Sequence, residues 1–206
     1  DRASGMLTML NQQPTQGPGA CHISIDTTGK WALITNYHGG SVAVLPVLGN
    51  GSLGAPVTFI QHSGPSRANP QRQEAAHAHS IIPAPGNRVV LVADLGMDKI
   101  VTYRLNTATG ALTPHDPPFI AARAGAGPRH QVFHPNGRFY YVVNELDSTV
   151  SVIKWDAARD TGVEIQAIST LPAGFSAETT TAEIRIAPDG RFVYASNRGH
   201  DSIAIF

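Results

Sequence analysis

The segment GAGPRHQVFHPNGRFYYVVNELDSTVSV, residues 125–152, places Arg129, His130 and Glu145 within seventeen positions. A guanidinium grips anions through a planar fork, an imidazole moves protons near neutral pH, and a carboxylate takes up a proton or orients a base. Such a set could transfer protons on an anionic substrate. The same span also reads as an ordinary β-hairpin, with a tight PNG turn between two apolar runs. Which residues act and which only build the hairpin depends on what the rest of the chain repeats.

Four segments align without gaps: HISIDTTGKWALITNY from His22, HSIIPAPGNRVVLVAD from His79, HQVFHPNGRFYYVVNE from His130 and EIRIAPDGRFVYASNR from Glu183. Each has glycine at its eighth position, namely Gly29, Gly86, Gly137 and Gly190. Three have asparagine at the fifteenth, Asn36, Asn144 and Asn197. A third apolar run follows in every unit (GSVAVL, DKIVTY, STVSVI, DSIAIF), and a looser fourth in the first three, around PVTFI, ALTPH and EIQAI. The runs are rich in Val, Ile, Tyr and Phe and are bounded by Gly, Pro, Asp and Asn, as strands are. They are apolar on both faces, as stacked sheets require. No segment keeps a helical period. Repeats of about fifty residues with four strands each predict an all-β fold, a β-propeller of four-stranded antiparallel blades. A β-sandwich is the second choice, disfavoured by the regular spacing.

The chain opens DRASGM, without an initiator methionine, and ends on a third strand. GMLTML could supply an outer fourth strand and let four units close a ring. The preferred expectation is a single propeller domain over 1–206 that forms about four repeats of a larger ring.

A residue shared by all units maintains the blade, whereas a polar residue found in one unit needs another reason. Antiparallel pairing sets the start of the first strand beside the end of the second, so Arg129, His130 and Glu145 should share one rim, as should His79 with Asp94 and Glu183 with Arg198. The position after the shared Asn or Ala is Tyr37, Asp94, Glu145 and Arg198, and the position before the first strand is Cys21, Ala78, Arg129 and Ala182. Arg129, Glu145 and Arg198 are each unique at their place. His22, His79 and His130 recur at one position and could simply satisfy a strand end, while His134 belongs to a turn. His77 and His79 form a His-x-His pair that could present both rings to one face, but no CxxC or HExxH accompanies it, and no metal is expected. Asp94 and Asp147 read as turn formers. Arg67 and Arg72, in the loop SGPSRANPQRQE, are expected to be solvated.

Composition narrows the partners. The chain has 206 residues with 42% hydrophobic and 15% charged, and 15 Lys+Arg balance 15 Asp+Glu. A neutral chain has no whole-surface attraction to nucleic acid or anionic lipid. No apolar run is long enough to span a membrane, and no signal peptide is visible. Cys21 is the only cysteine, so no intrachain disulfide forms. This is compatible with a reducing, cytoplasmic compartment.

The stretches NYHGGSVAVLPV, HAHSIIPAPGNRVVLVADLGMDKIVTY, GAGPRHQVFHPNGRFYYVVNELDSTVSV and TAEIRIAPDGRFVYASNRGHDSIAIF resemble the seven-bladed propeller lactonases. That family includes the propeller type of 6-phosphogluconolactonase and the carboxymuconate-lactonizing enzymes. The resemblance covers nearly the whole chain and is most specific at GPRH, NEL and NRG. It implies a catalytic histidine, two arginines and a glutamate at the channel mouth, which fall on His79, Arg129, Glu145 and Arg198. Ala76 stands where the family pattern would have proline, which leaves His77 as a rival to His79. His77, His130 and Asp94 are the secondary candidates for substrate contact. The implied reaction is hydrolysis of an anionic sugar lactone without a cofactor, with His79 as base, Glu145 as orienter and the arginines serving oxyanion and substrate anion. The alternatives are cycloisomerisation of a carboxylated muconate and a non-catalytic scaffold of the YVTN-repeat kind.

Overall fold

The computed structural model describes residues 3–206. Fifteen strands form four antiparallel sheets in chain order. Blade 1 holds β1 (Ala20–Ile25), β2 (Trp31–Asn36), β3 (Ser41–Pro46) and β4 (Thr58–Gln61). Blade 2 holds β5 (Ala78–Pro83), β6 (Val89–Asp94), β7 (Lys99–Leu105) and β8 (Leu112–Ala121). Blade 3 holds β9 (Pro128–Phe133), β10 (Phe139–Asn144), β11 (Thr149–Asp156) and β12 (Thr161–Ser169). Blade 4 holds β13 (Thr180–Ile186), β14 (Val193–Arg198) and β15 (Ser202–Ile205). The first strands β1, β5, β9 and β13 lie side by side, so they form the inner edge of a propeller arrangement.

The second strands explain the doubly apolar runs. WALITN and VVLVAD are buried along their whole length, because blade 2 lies between blades 1 and 3 and the other face of blade 1 packs against Val47 and Leu53. Trp31, Leu33, Val44 and Tyr103 pack with Ile81 and Val92 between blades 1 and 2, and Leu91, Ile100, Tyr140 and Trp155 fill the next layer. Polar side chains tie the layers together. Buried Gln131 donates to Ser80 O at 3.2 Å and to Leu91 O at 2.8 Å, and accepts from the Tyr140 hydroxyl. Asp26 caps its own turn and accepts from Asn87 of the next blade at 2.8 Å.

Two expectations are corrected. GMLTML forms no strand, and its large side chains are exposed, with Leu7 at 94%. Its polar neighbour Asn11 docks instead against the backbone of Leu53 in blade 1. The second correction concerns register. In blades 1, 3 and 4 the first turn is closed by Gly29, Gly137 and Gly190, but in blade 2 the equivalent amide belongs to Asn87, which bonds to Ala84 O. Asn87 adopts φ 59° and Gly86 φ 91°, so blade 2 carries its left-handed residue one place later than a glycine match implies. Asp94 is therefore the counterpart of Asn36 and Asn144: it faces Ala78 as they face Ala20 and Pro128. Leu95 becomes the counterpart of Glu145, and His79 moves to the place of Arg129.

Candidate active site

That place is a bulge. In blade 1 the ladder skips from Ala20 to His22, in blade 2 from Ala78 to Ser80, and in blade 3 from Pro128 to His130. Cys21, His79 and Arg129 are the unpaired residues. Blade 4 breaks at the same place, between Thr181 and Ile184. A bulge re-aims a side chain that regular pairing would direct elsewhere, and each of these reaches toward its neighbour. The Cys21 thiol donates to His79 O at 3.3 Å, and Arg129 Nη1 donates to Ala182 O at 2.5 Å.

Glu145 is the hub. It follows the end of β10, its amide bonds to Gly127 O at 2.8 Å, and its residue is only 4% exposed. A buried charge needs partners, and it has three guanidinium groups. Arg72 Nη2 donates to Oε1 at 2.6 Å, Arg129 Nε donates to Oε2 at 2.8 Å, and Arg198 Nη2 lies 3.1 Å from Oε2. His79 Nε2 stands 3.9 Å from Oε2. Arg198 Nη2 is also fixed by Thr181 O at 2.9 Å.

Burial raises the Glu145 carboxyl, but the Arg72 hydrogen bond and the charges of Arg198, Arg72 and Arg129 outweigh it and hold the group below the usual carboxylate range. His79 is lowered as well, and in an imidazole this favours the neutral form. Burial first, then the charges of Arg129 and His130, push it down to about 3. The site thus pairs an ionised carboxylate with a neutral imidazole. Burial also lowers Arg129, against the attraction of Glu145.

The secondary candidates divide. His130 lies beside the cluster: its ring meets His79 and His22 edge-on at 5.2 and 5.3 Å, and its Nδ1 pairs with Glu183 at 3.0 Å. His77 does not join the cluster. It stacks on Tyr37 at 4.6 Å, and both its nitrogens are engaged, by Tyr37 O and by Glu74. It props Tyr37 instead. Asp94 is turned inward and fully buried, with Oδ2 on His62 at 2.7 Å and Oδ1 accepting the His77 and Met97 amides. Both of its oxygens are thus engaged within the fold, away from Glu145. Glu183 and Arg198 do not meet either, since the first binds His130 and the second Glu145. Among the described residues no cluster of His, Cys, Asp and Glu is arranged to hold a metal ion.

Arg72 is the residue that the repeat could not reveal. It comes from the connection 62–77 between β4 and β5, whose sequence does not recur in the shorter equivalent connections 122–127 and 170–179. Its signal was length: this connection has sixteen residues against six in 122–127, and long connections are often functional. The loop is not loose. Gln73 is wholly buried and donates to Leu95 O at 2.8 Å and to Asp98 Oδ1 at 2.7 Å, and Ser66 donates to Asp98 Oδ2 at 2.5 Å. Asp98 also accepts the Gly125 and Gly127 amides at 2.7 and 2.8 Å. One carboxylate therefore holds both the Arg72 loop and the GAGPR segment that delivers Arg129. Gly127 is required there. It has φ 65°, and a Cβ would stand 2.6 Å from Leu146 Cγ.

The profile of the family described as "Lactonase, 7-bladed beta-propeller" matches residues 1–206. The chain belongs to this propeller lactonase family. Within it, the chain is 41% identical over 206 residues to a 6-phosphogluconolactonase of Bacillus subtilis, covering all of this chain and 57% of the relative. It is 39% identical over 190 residues to a 6-phosphogluconolactonase of Pectobacterium carotovorum, covering 92% of this chain and 53% of that one. Among solved structures, a periplasmic gluconolactonase of Pseudomonas aeruginosa superposes with a TM-score of 0.87 at 32% identity, over 94% of this chain and 54% of the other. The chain thus spans a little over half the length of the lactonase relatives it matches.

Proposed function

We propose that the Glu145 cluster hydrolyses an anionic sugar lactone, with 6-phosphogluconolactone as substrate and 6-phosphogluconate as product. The observation that carries this reading is the convergence of three guanidinium groups and a neutral histidine on one buried carboxylate. A scaffold would have no need of that arrangement. The names of the Bacillus and Pectobacterium relatives support the substrate.

Hydrolysis adds the oxygen of water to the lactone carbonyl carbon while a base takes the proton. His79 is the base and carries that proton on Nε2, the nitrogen that faces Glu145. A guanidinium receives the negative charge that develops on the carbonyl oxygen. Collapse of the tetrahedral adduct breaks the bond between the acyl carbon and the ring oxygen, which takes the proton back from His79. Glu145 does not take up the proton itself, because the arginines hold it ionised. It fixes them and offsets the imidazolium charge.

A phosphorylated sugar substrate brings with it a cytoplasmic location. No helix of the described residues is long and apolar enough to cross a membrane, and the Pseudomonas relative is described as periplasmic, so fractionation of the native host is the direct check. The activity itself is tested by acid release from 6-phosphogluconolactone and, in parallel, by cyclisation of a carboxymuconate to its lactone, on the full-length protein. Turnover of the first supports the reading. Turnover of the muconate alone would replace hydrolysis with cycloisomerisation.

A further inference from the structure

Three guanidinium groups around Glu145 leave a surplus of two positive charges. The arginines are not equally placed to use it. Arg129 has 16% side-chain exposure, and it spends Nε on Glu145 and Nη1 on Ala182 O. The Arg72 and Arg198 side chains are 39% and 50% exposed. Arg72 contacts Glu145 and the Tyr37 hydroxyl, the latter at 3.3 Å, through a single nitrogen, Nη2. Its Nε and Nη1 make no hydrogen bond within the described residues, and a guanidinium presents five donors in a fixed fork.

The position of Arg72 also has a reason in the repeat. The rim residue after the second strand is Tyr37 in blade 1, Glu145 in blade 3 and Arg198 in blade 4, but blade 2 places Leu95 there, fully buried. The 62–77 loop fastens to that residue through Gln73 and Leu95 O. Arg72, the next residue, then stands between the Tyr37 and Glu145 rim positions. The loop supplies the polar rim group that blade 2 lacks.

We infer that Arg72 is the substrate-anion residue of this site. It works with Arg198 to bind a phosphoryl group on the lactone and leaves Arg129, deeper and more tightly held, to the reacting carbonyl. A phosphate monoester carries about −1.5 to −2 charges at neutral pH, which matches the surplus. Its three oxygens suit two guanidinium forks. The inference rests on the lactonase reading for the identity of the substrate, but not for the existence of the anion subsite.

The test compares the full-length wild type with Arg72→Ala, Arg72→Lys and, as a control on the same loop, Arg67→Ala, whose residue is exposed and outside the cluster. Two quantities are read: kcat and KM on 6-phosphogluconolactone and on unphosphorylated gluconolactone, and binding of 6-phosphogluconate and gluconate by calorimetry. Arg72→Ala is expected to raise KM for the phosphorylated lactone at least tenfold and to weaken 6-phosphogluconate binding equally. The loss for the unphosphorylated pair should be several-fold smaller, because there Arg72→Ala removes only its hold on Glu145. Lysine should restore part of the loss, and Arg67→Ala should match the wild type. Equal loss on both lactones would make Arg72 a positioning residue for Glu145 and overturn the assignment, as would no change on either. If the wild type turns over neither lactone, the hydrolase reading fails. The binding arm still decides the anion subsite: unchanged 6-phosphogluconate affinity in Arg72→Ala, or none in the wild type, would refute it.

Discussion

Arg129 and Glu145 lie sixteen positions apart in the chain, yet Nε and Oε2 are 2.8 Å apart. A regular hairpin would not deliver this contact. The bulge between Pro128 and His130 frees Arg129 from the ladder at the point where Glu145 leaves the end of β10. The hairpin supplies nearness and the bulge supplies direction.

Removing the Glu145 charge should cost stability as well as activity. Glu145→Gln leaves three guanidinium groups facing a neutral amide, and a loss of about 1–3 kcal/mol is expected at pH 7. The folded carboxyl lies below its ordinary value of 4.5, so its stabilisation is fully present above that pH and fades as pH falls through the lower folded value. Denaturant titrations at pH 7 and at pH 3.5 should show a large gap between the proteins in the first and a narrower one in the second.

The low value of His79 sets the acid limb of the reaction. The neutral imidazole is the working form, so activity is lost only when pH falls toward about 3, and not near the ordinary 6.5. On unphosphorylated gluconolactone, where the substrate itself does not titrate, kcat/KM should stay level from pH 7 to pH 5. A limb centred between pH 6 and 7 would show that the base titrates as an ordinary imidazole and would contradict the lowered value of His79.

Asp98 is a positioning residue. It touches no member of the cluster but accepts from Gln73, Ser66, Gly125 and Gly127, and so ties the Arg72 loop to the Arg129 segment. Asp98→Ala should lower kcat/KM about tenfold or more while the far-ultraviolet spectrum of the sheets persists. Hydrogen exchange should speed up at residues 62–77 and 122–127 and stay unchanged in blade 4.

Blade stapling is separable from chemistry. Gln131 joins Ser80 O, Leu91 O and the Tyr140 hydroxyl within the layer between blades 2 and 3. Gln131→Leu leaves buried carbonyls and a hydroxyl without their partner, at a cost of about 1–3 kcal/mol each where no water enters. The melting temperature should fall while KM remains as in the wild type.

Much of this was legible in the sequence because a repeat carries its own reference. The Gly-closed turns and doubly apolar strands gave the blades, and departures from them isolated Arg129, Glu145 and Arg198. Matching glycine to glycine misplaced blade 2, because Asn87 takes the left-handed turn position that glycine takes elsewhere. The one-residue slip hid the equivalence of His79 with Arg129 and mistook Asp94 for a rim residue. Arg72 escaped because it belongs to a connection whose sequence does not recur. Only the fixed turn around Asn69 and Gln73, and the reach of Gln73 to Leu95 O, bring it to Glu145. No periodicity records such a contact.

The central claim is that these side chains act together on a lactone. The most direct measurement is kcat/KM for 6-phosphogluconolactone in the full-length wild type and in Arg129→Ala and Glu145→Ala, with folding checked by calorimetry. Wild-type turnover, with a loss of at least tenfold in each folded variant, is the predicted result. Equal kcat/KM in all three proteins would contradict the account.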